Sequence, residues 1–415
     1  MNARWLRIGG TLMLGMFVSY IDRTNLSVSL PSVAHDLGFG GASFATVSGW
    51  VLTAFLIGYI FANIFGGIFT SRSDPKKVAI MMMGLWSLST LVTGMAQSIV
   101  LLVICRLILG IAEGIYWPQQ SRFVKLWFSP SELTRANSVI QYYGQFLALG
   151  LGFIILTPIH GALGWRNLFY LCGGIGLVIM VPLYARTLMN TADAPYPEKP
   201  ADSAQTDRPR LTLEAFGGLS FGLVIFTYLT QGMLFWGITL WIPLAVKSIG
   251  FTGMGQAFGS ALPYLAAVVL AVPMAYISDR TGKRILIAAL GLLIPGCLLL
   301  LLPEVNNGYL KLALITIAMG YYASSFTPNI WSIIQSNVRP HAIGAAAGIV
   351  NGVGAGGGGT LAGLMVARIY ASTGSYMSGF MILGGLVALG GLSLLCYGYL
   401  RRHRTTDIQG AGIKA

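Results

Sequence analysis

The sequence predicts an all-α polytopic membrane protein with twelve transmembrane helices in two pseudo-symmetric six-helix bundles. Three observations carry that prediction. Of 415 residues, 55% are hydrophobic and only 9% charged, where a soluble domain has about 25% charged. Apolar runs long enough to cross a bilayer recur along the whole chain. Basic residues gather in alternate connections between those runs. Helices are the default for such runs, because lipid leaves the backbone groups of an open strand unpaired.

Taken in order, span 1 (6–32) follows Arg4 and Arg7. Asp22 and Arg23 interrupt it, and it runs too far to be a cleaved signal segment. Span 2 (44–70) ends at the cluster Arg72, Lys76 and Lys77, from which span 3 (77–96) departs. Span 4 (99–124) closes at Arg122 and Lys125, span 5 (136–159) opens after Arg135, and span 6 (166–187) stops at Arg186. In the second half, span 7 (215–245) precedes Lys247, span 8 (255–277) ends before Asp279–Arg284, and span 9 (285–303) ends at Pro303. Spans 10 (308–335) and 11 (343–369) flank Arg339, and span 12 (377–400) ends at Arg401 and Arg402.

Of the 26 Lys and Arg residues, twenty lie on one side of this topology, four on the other and two inside spans. That bias predicts a multi-pass protein with both termini cytoplasmic, and the lack of a long glycosylatable outer loop points to the inner (cytoplasmic) membrane of a bacterium. Residues 188–213 carry Pro195, Pro197, Pro200 and Pro209 without apolar periodicity. They read as a flexible cytoplasmic linker between an N-terminal bundle (1–187) and a C-terminal bundle (214–415). A weak repeat supports the division: Gly67–Lys76 follows span 2, and Ala275–Arg284 follows span 8.

The net charge of +13 does not mark a nucleic-acid binder, since the charges sit between apolar segments and share no polar face. Cys105, Cys172, Cys297 and Cys396 lie far apart in apolar runs, and the four histidines have no Cys, Asp or Glu at metal spacing. No metal, cofactor or disulfide framework is predicted. The Gly354–Gly359 run lacks the Gly-Lys-Ser/Thr ending of a phosphate loop and reads as a close helix-packing or gating segment.

Only two acids, Asp22 and Glu113, lie well inside spans, and each has an arginine nearby, Arg23 and Arg106. A charge at the membrane centre costs at least about 2.5–3.5 kcal/mol, so four of them point to a wet functional cavity. Structural ion pairs are the alternative. Arg106 and Glu113 are two turns apart on one face of span 4, about 10 Å along the axis. Asp22 and Arg23 diverge by about 100° and so take different partners. In the functional reading the arginines bind an anion by their planar forks, and the acids carry protons. An anion that occupies an arginine removes the counter-charge of its acid, which then takes up a proton; this is a physical basis for symport. Tyr59, Gln145, Trp331 and Asn351 are weaker signals within spans 2, 5, 10 and 11. After Glu113, Trp117-Pro118-Gln119-Gln120 predicts a kink, with a glutamine in reach of a cavity.

Ser278-Asp279-Arg280-Thr281-Gly282-Lys283-Arg284 resembles the cytoplasmic loop motif of the major facilitator superfamily, with Asp279, Arg280, Gly282 and Arg284 at its marked positions. The first copy departs from it at Ser71 and Asp74. Tyr20-Ile21-Asp22-Arg23-Thr24-Asn25-Leu26-Ser27, together with Arg106 and Glu113, resembles the anion:cation symporter family of bacterial galactonate, glucarate and hexuronate transporters and sialin. The resemblance implies the major facilitator fold, a monomer, and proton-coupled import of a small organic anion, a sugar acid above all. It assigns proton coupling to Asp22 and Glu113, and substrate binding to Arg23, Tyr59, Arg106, Gln145, Trp331 and Asn351. Pro328-Asn329-Ile330 stands where the family has small hydroxyl residues, which points toward a less hydroxylated or aromatic acid. An aromatic acid or dicarboxylate symporter and an organic-anion exchanger without proton coupling are the competing readings. Organophosphate exchangers use an arginine pair in spans 1 and 7, and span 7 here has none. An enzyme is not predicted, because no metal or histidine base accompanies the buried acids.

Overall fold

The computed structural model describes residues 4–66, 70, 73–129, 132, 136, 138–196, 213–338, 346 and 348–411, of which 64, 138, 213, 279, 335–337 and 402–411 are described by backbone alone. Among the described residues all regular structure is helical. The first half contains α1 (Thr11–Asp36), α2 (Phe44–Phe61), α3 (Pro75–Gly94), α4 (Ile99–Trp127), α5 (Gly144–Gly174) and α6 (Val181–Thr187). The second contains α7 (Phe221–Ser248), α8 (Gly253–Thr281), α9 (Arg284–Leu300), α10 (Gly308–Ser325), α11 (Thr327–Asn337), α12 (Gly358–Thr373) and α13 (Tyr376–Ala411).

Helix starts follow local chemistry. Asp74 caps α3 by accepting the Lys76 N–H at 2.9 Å, with Pro75 in the first turn. Ser98 caps α4 through the Leu101 N–H, and Asn307 caps α10 through the N–H groups of Tyr309 and Leu310.

Among the described residues seven helical stretches are long and apolar enough to cross a membrane. One of them, Val139–Asp193, is two passes. Within α5, Gly164 has φ 76° and ψ 169°, a conformation open to glycine but strained for L side chains, and the chain turns back there. This break separates predicted spans 5 and 6. Span 1 misses the apolar threshold because Asp22, Arg23, Asn25 and several serines lie inside α1.

Two predicted spans differ in detail. Span 10 is broken into α10 and α11 at Phe326–Thr327, where Pro328 cannot donate a backbone hydrogen bond. Span 8 continues as helix through Asp279 and Arg280 to Thr281, so most of the loop motif closes α8. Gly282, with φ +64°, makes the turn before Arg284 opens α9. At Pro118 the helix is not interrupted: α4 runs through the proline as one helix.

Packing groups the chain into two compact units. The first comprises Met1–Asp207, Ile238–Leu265 and Gly363–Tyr376; the second comprises Arg208–Gly237, Ala266–Ala362 and Met377–Ala415. In the first, α2 and α3 pack on α4, while α1 and α3 pack on α5. A Cβ at Gly58 would collide with the Leu107 carbonyl, and one at Gly110 with the Phe55 carbonyl, so glycine lets α2 and α4 touch backbone to backbone. In the second unit α9, α10 and α11 pack together. Gly354 and Gly358 press there against Tyr228 and the Leu229 carbonyl of α7, the close packing expected of the glycine run.

The linker expected to be flexible is fastened over its first described residues. Thr191 donates to Asp74 at 2.5 Å, and the Tyr196 N–H donates to the Leu126 carbonyl at 3.1 Å. Residues 197–212 lie outside the described residues, as do Gly67–Phe69, Ser71 and Arg72 of the first loop copy.

Candidate functional site

Among the described residues the buried charged side chains are Asp22, Arg23, Arg106 and Glu113, and all four belong to the first unit. The backbones of α1 and α4 do not pack closely, so the long charged side chains bridge the space between them. Glu113 does not pair with Arg106 along its own helix. It accepts instead from Arg23 of α1, with Nε and Nη2 both 2.5 Å from Oε2. Arg106 reaches the other way, donating from Nη1 to the backbone carbonyl of Asp22 at 3.1 Å. The two arginines thus cross between helices, Arg23 to a carboxylate and Arg106 to the Asp22 backbone rather than to its carboxylate.

The Arg23 guanidinium is boxed by aromatic faces. Its carbon lies 4.2 Å from the Tyr20 ring centre, 4.9 Å from Phe55 and 5.4 Å from Tyr59. The Arg106 guanidinium carbon lies 5.8 Å from the same Phe55 ring centre. Such faces stabilise a desolvated cation by up to about 2 kcal/mol. Tyr20 is one turn before Arg23 on α1, and Phe55 one turn before Tyr59 on α2, so each pair shares a helix face.

Several polar atoms in this cluster are buried without a hydrogen-bond partner: Arg106 Nε and Nη2, both Asp22 carboxylate oxygens and Glu113 Oε1. Nε and Nη2 form one edge of the guanidinium, the edge that grips a carboxylate or sulfonate with two parallel N–H bonds. Buried donors of this kind are costly to leave unmet. The Asp22 carboxylate lies beside Thr90 of α3, within electrostatic reach of Glu113 and Arg106.

Of the other residues singled out from sequence, Gln145 opens α5 in the same unit, half-buried. Trp331 of α11 and Asn351 of the π-helical stretch Val350–Gly357 belong to the second unit. Trp331 packs edge-on against Tyr228, with ring centres 5.7 Å apart. Nearby in that unit, Gln231 donates to the Tyr322 hydroxyl in a fully buried bond, and its Oε1 has no partner. Of the loop motif, Arg280 reaches the Tyr276 hydroxyl at 3.4 Å and Ser278 donates to Asn329; the Asp279 side chain lies outside the described residues. Gln119 does not face a cavity: it donates to Thr70 at 2.6 Å and accepts from Arg122. The Gln120 amide is buried with neither atom paired.

Sequence reading missed Phe55, Tyr20 as a wall of the Arg23 box, and the Gln231–Tyr322 pair. The four-residue spacing of Phe55 and Tyr59 on an otherwise apolar span was the available signal. Nothing in the sequence pointed to Gln231, since a lone amide in a span reads as helix–helix packing.

Comparison with known proteins bears on this geometry. The profile described as Major Facilitator Superfamily matches residues 12–362. The "Probable sulfoacetate transporter" of Cupriavidus necator is 28% identical, over 93% of this chain and 92% of that one. The "D-galactonate transporter" of Escherichia coli is 26% identical, over 84% and 85%. In three dimensions the chain is similar to a bacterial homolog of the human lysosomal transporter Spinster, solved in an inward-facing and unoccupied conformation. The TM-score is 0.67, with 16% identity over 96% of each chain, a likeness of fold alone.

Proposed function

The chain belongs to the major facilitator superfamily, and from that premise we propose that it is a proton-coupled symporter importing a small organic anion by alternating access. It is a multi-pass membrane transporter rather than an enzyme. The proposal adds the inner membrane as its site, cytoplasmic termini, a monomeric state and two six-helix bundles (1–187 and 214–415) joined by 188–213.

The observation that carries the anion assignment is the unmet Nε/Nη2 edge of Arg106, buried beside a second arginine. In this reading the anionic group of the substrate docks on that edge, with Tyr59 and Gln145 as further substrate-binding residues of the first unit. Trp331 and Asn351 are proposed as substrate-binding residues on the family resemblance. A second anionic or polar group draws Arg23 from Glu113, and Glu113, having lost its counter-charge, takes a proton. Asp22, with both oxygens unpaired, takes the second proton. Two protons with a monovalent anion move net positive charge inward, so uptake responds to voltage. Relatives named for sulfoacetate and for D-galactonate are both named for small organic anions, one a sulfonate and one a sugar acid. A sugar acid is the first choice. Pro328-Asn329-Ile330, with few hydroxyls, favours a smaller or less hydroxylated acid as the second.

The test uses purified protein in liposomes containing a trapped pH dye. Hexonates, hexuronates, aldarates, sulfoacetate, aromatic acids and dicarboxylates are added one at a time. Acidification of the lumen by one class, lost in Glu113→Gln, is the expected result. Counterflow of an acid with no acidification would make the protein an exchanger and return the buried acids to structural ion pairs.

A further inference from the structure

The first unit contains a polar cavity, of about 200 Å³, that the Arg23–Glu113 cluster does not line. Four helices wall it: α1 with Ser27 and Ser32, α5 with Phe153 and His160, the end of α7 with Lys247, and the first turns of α8. Lys247 is exposed at its rim, and His160 Nε2 lies 3.0 Å from the Ser32 hydroxyl. No carboxylate is among the described lining residues. The nearest acid along α1 is Asp36, one turn beyond Ser32. The Trp165 indole N–H (2.7 Å) and His35 engage it and hold its carboxyl below the usual carboxylate range. An ammonium, an imidazole and hydroxyls without an opposing acid suit an anion.

Position along the helices ties this cavity to the inner cluster. Ser27 is one turn past Arg23 on α1, about 6 Å along the axis, and Pro31 one turn further. On α5, Phe153 lies two turns past Gln145. The Phe153 ring packs on Tyr264, centres 5.9 Å apart, and the Tyr264 hydroxyl is fixed by a 2.8 Å bond to Thr239. This aromatic pair stands at the cavity's inner end, on the side of the arginines.

We propose that the cavity is an outer binding site for a small carboxylate or sulfonate, held by Lys247 and His160 before it passes to Arg106. The proposal rests on the organic-anion reading and on the orientation given by the basic residues. It predicts that anion occupancy here is independent of Arg106.

The experiment places a reporter thiol in the cavity with Thr157→Cys, in protein whose exposed Cys297 and Cys396 are replaced by serine. A cationic, membrane-impermeant methanethiosulfonate is applied from outside, with sulfoacetate, D-galactonate, D-galacturonate or sulfate as the protecting anion. In an Arg106→Ala background, an anion at ten times its half-protecting concentration slows modification about tenfold. Adding Lys247→Gln raises the half-protecting concentration about tenfold, the worth of one charge-assisted bond. The same comparison in Arg106→Lys serves if the alanine variant does not fold. Protection that Lys247→Gln leaves unchanged, or no slowing by any anion, would overturn the proposal. Because the readout is thiol chemistry, it separates from the transport reading: acidification without protection sinks this site alone, and protection without acidification sinks the symport alone.

Discussion

The two units bury polar groups of different kinds. In the first, four ionisable side chains meet across α1 and α4, with Arg23 held by Glu113 while Asp22 and one edge of Arg106 lack partners. In the second, the described buried polar groups are neutral: Gln231 donates to Tyr322, and Ser278 donates to Asn329. A neutral pair keeps its bonds whatever the proton supply or the ligand. A charged cluster responds when one counter-charge is removed, because breaking a buried pair costs about 3–5 kcal/mol. The described residues thus confine the buried ionisable side chains to the first unit, and the proposed symport accordingly expects proton sensitivity there and neutral cargo contacts from the second.

That division can be broken or sharpened by mutation, and Arg106 carries the largest effect. Arg106→Ala should lower substrate uptake into liposomes about a hundredfold, the worth of two charge-assisted bonds. Arg106→Lys should not restore it, because lysine lacks the two-donor edge. Restoration by lysine would reduce the site to a simple positive charge. Glu113→Gln comes next. It should abolish substrate-driven acidification yet keep counterflow within a few-fold of the unmodified protein, and unchanged acidification would break the assignment of coupling to the first unit. In the second unit, Trp331→Ala and Asn351→Ala should raise the half-saturating substrate concentration about tenfold with protons still carried in the original ratio. A changed proton ratio would show that coupling is shared.

The smaller effects concern stability. Gln231→Leu strips the Tyr322 hydroxyl of its donor and should cost about 1–3 kcal/mol of stability, seen as a lower melting temperature. That loss should be the same at pH 5 and pH 8, since neither group titrates there. The smallest effect is at the surface of the first unit, where Glu132 accepts from the Ser129 N–H and hydroxyl and from Arg4 at 2.8 Å. The Ser129 bonds and Arg4 hold the Glu132 carboxyl below its ordinary range. A depressed carboxyl stabilises above its unfolded value and loses that contribution as pH falls through the folded one. Glu132→Gln should therefore lower the melting temperature slightly at neutral pH and make no difference in strong acid.

Much of the fold was legible because lipid leaves few choices: long apolar runs had to be helices, and the basic residues marked their ends. The residues at which helices break were less legible. The connection between spans 5 and 6 was expected within 160–165, but Gly164 looked like any of the chain's 54 glycines until its φ of 76° singled it out. Pro328 was visible, but Pro118 was equally visible and leaves α4 continuous. A proline's effect depends on neighbours that satisfy the freed carbonyl, and neighbours are not in the sequence. For the site, Asp22, Arg23, Arg106 and Glu113 stood out because charge inside a span is costly. Their pairing did not, since spacing reports only which residues share a helix, whereas the decisive bond joins Arg23 of α1 to Glu113 of α4.

The glycine crossing of α2 and α4 has a consequence for how such a protein acquires a new cargo. With Gly58 against the Leu107 carbonyl and Gly110 against the Phe55 carbonyl, the two helices have no spare volume along their seam. Selection cannot widen the chamber by sliding one backbone away from the other without unseating Arg106 and Glu113. The accessible adaptive steps are trims of side chains that project from the seam, Phe55 and Tyr59 foremost. Evolution of specificity on this side should therefore proceed by exchanging rings for smaller groups on an unchanging frame.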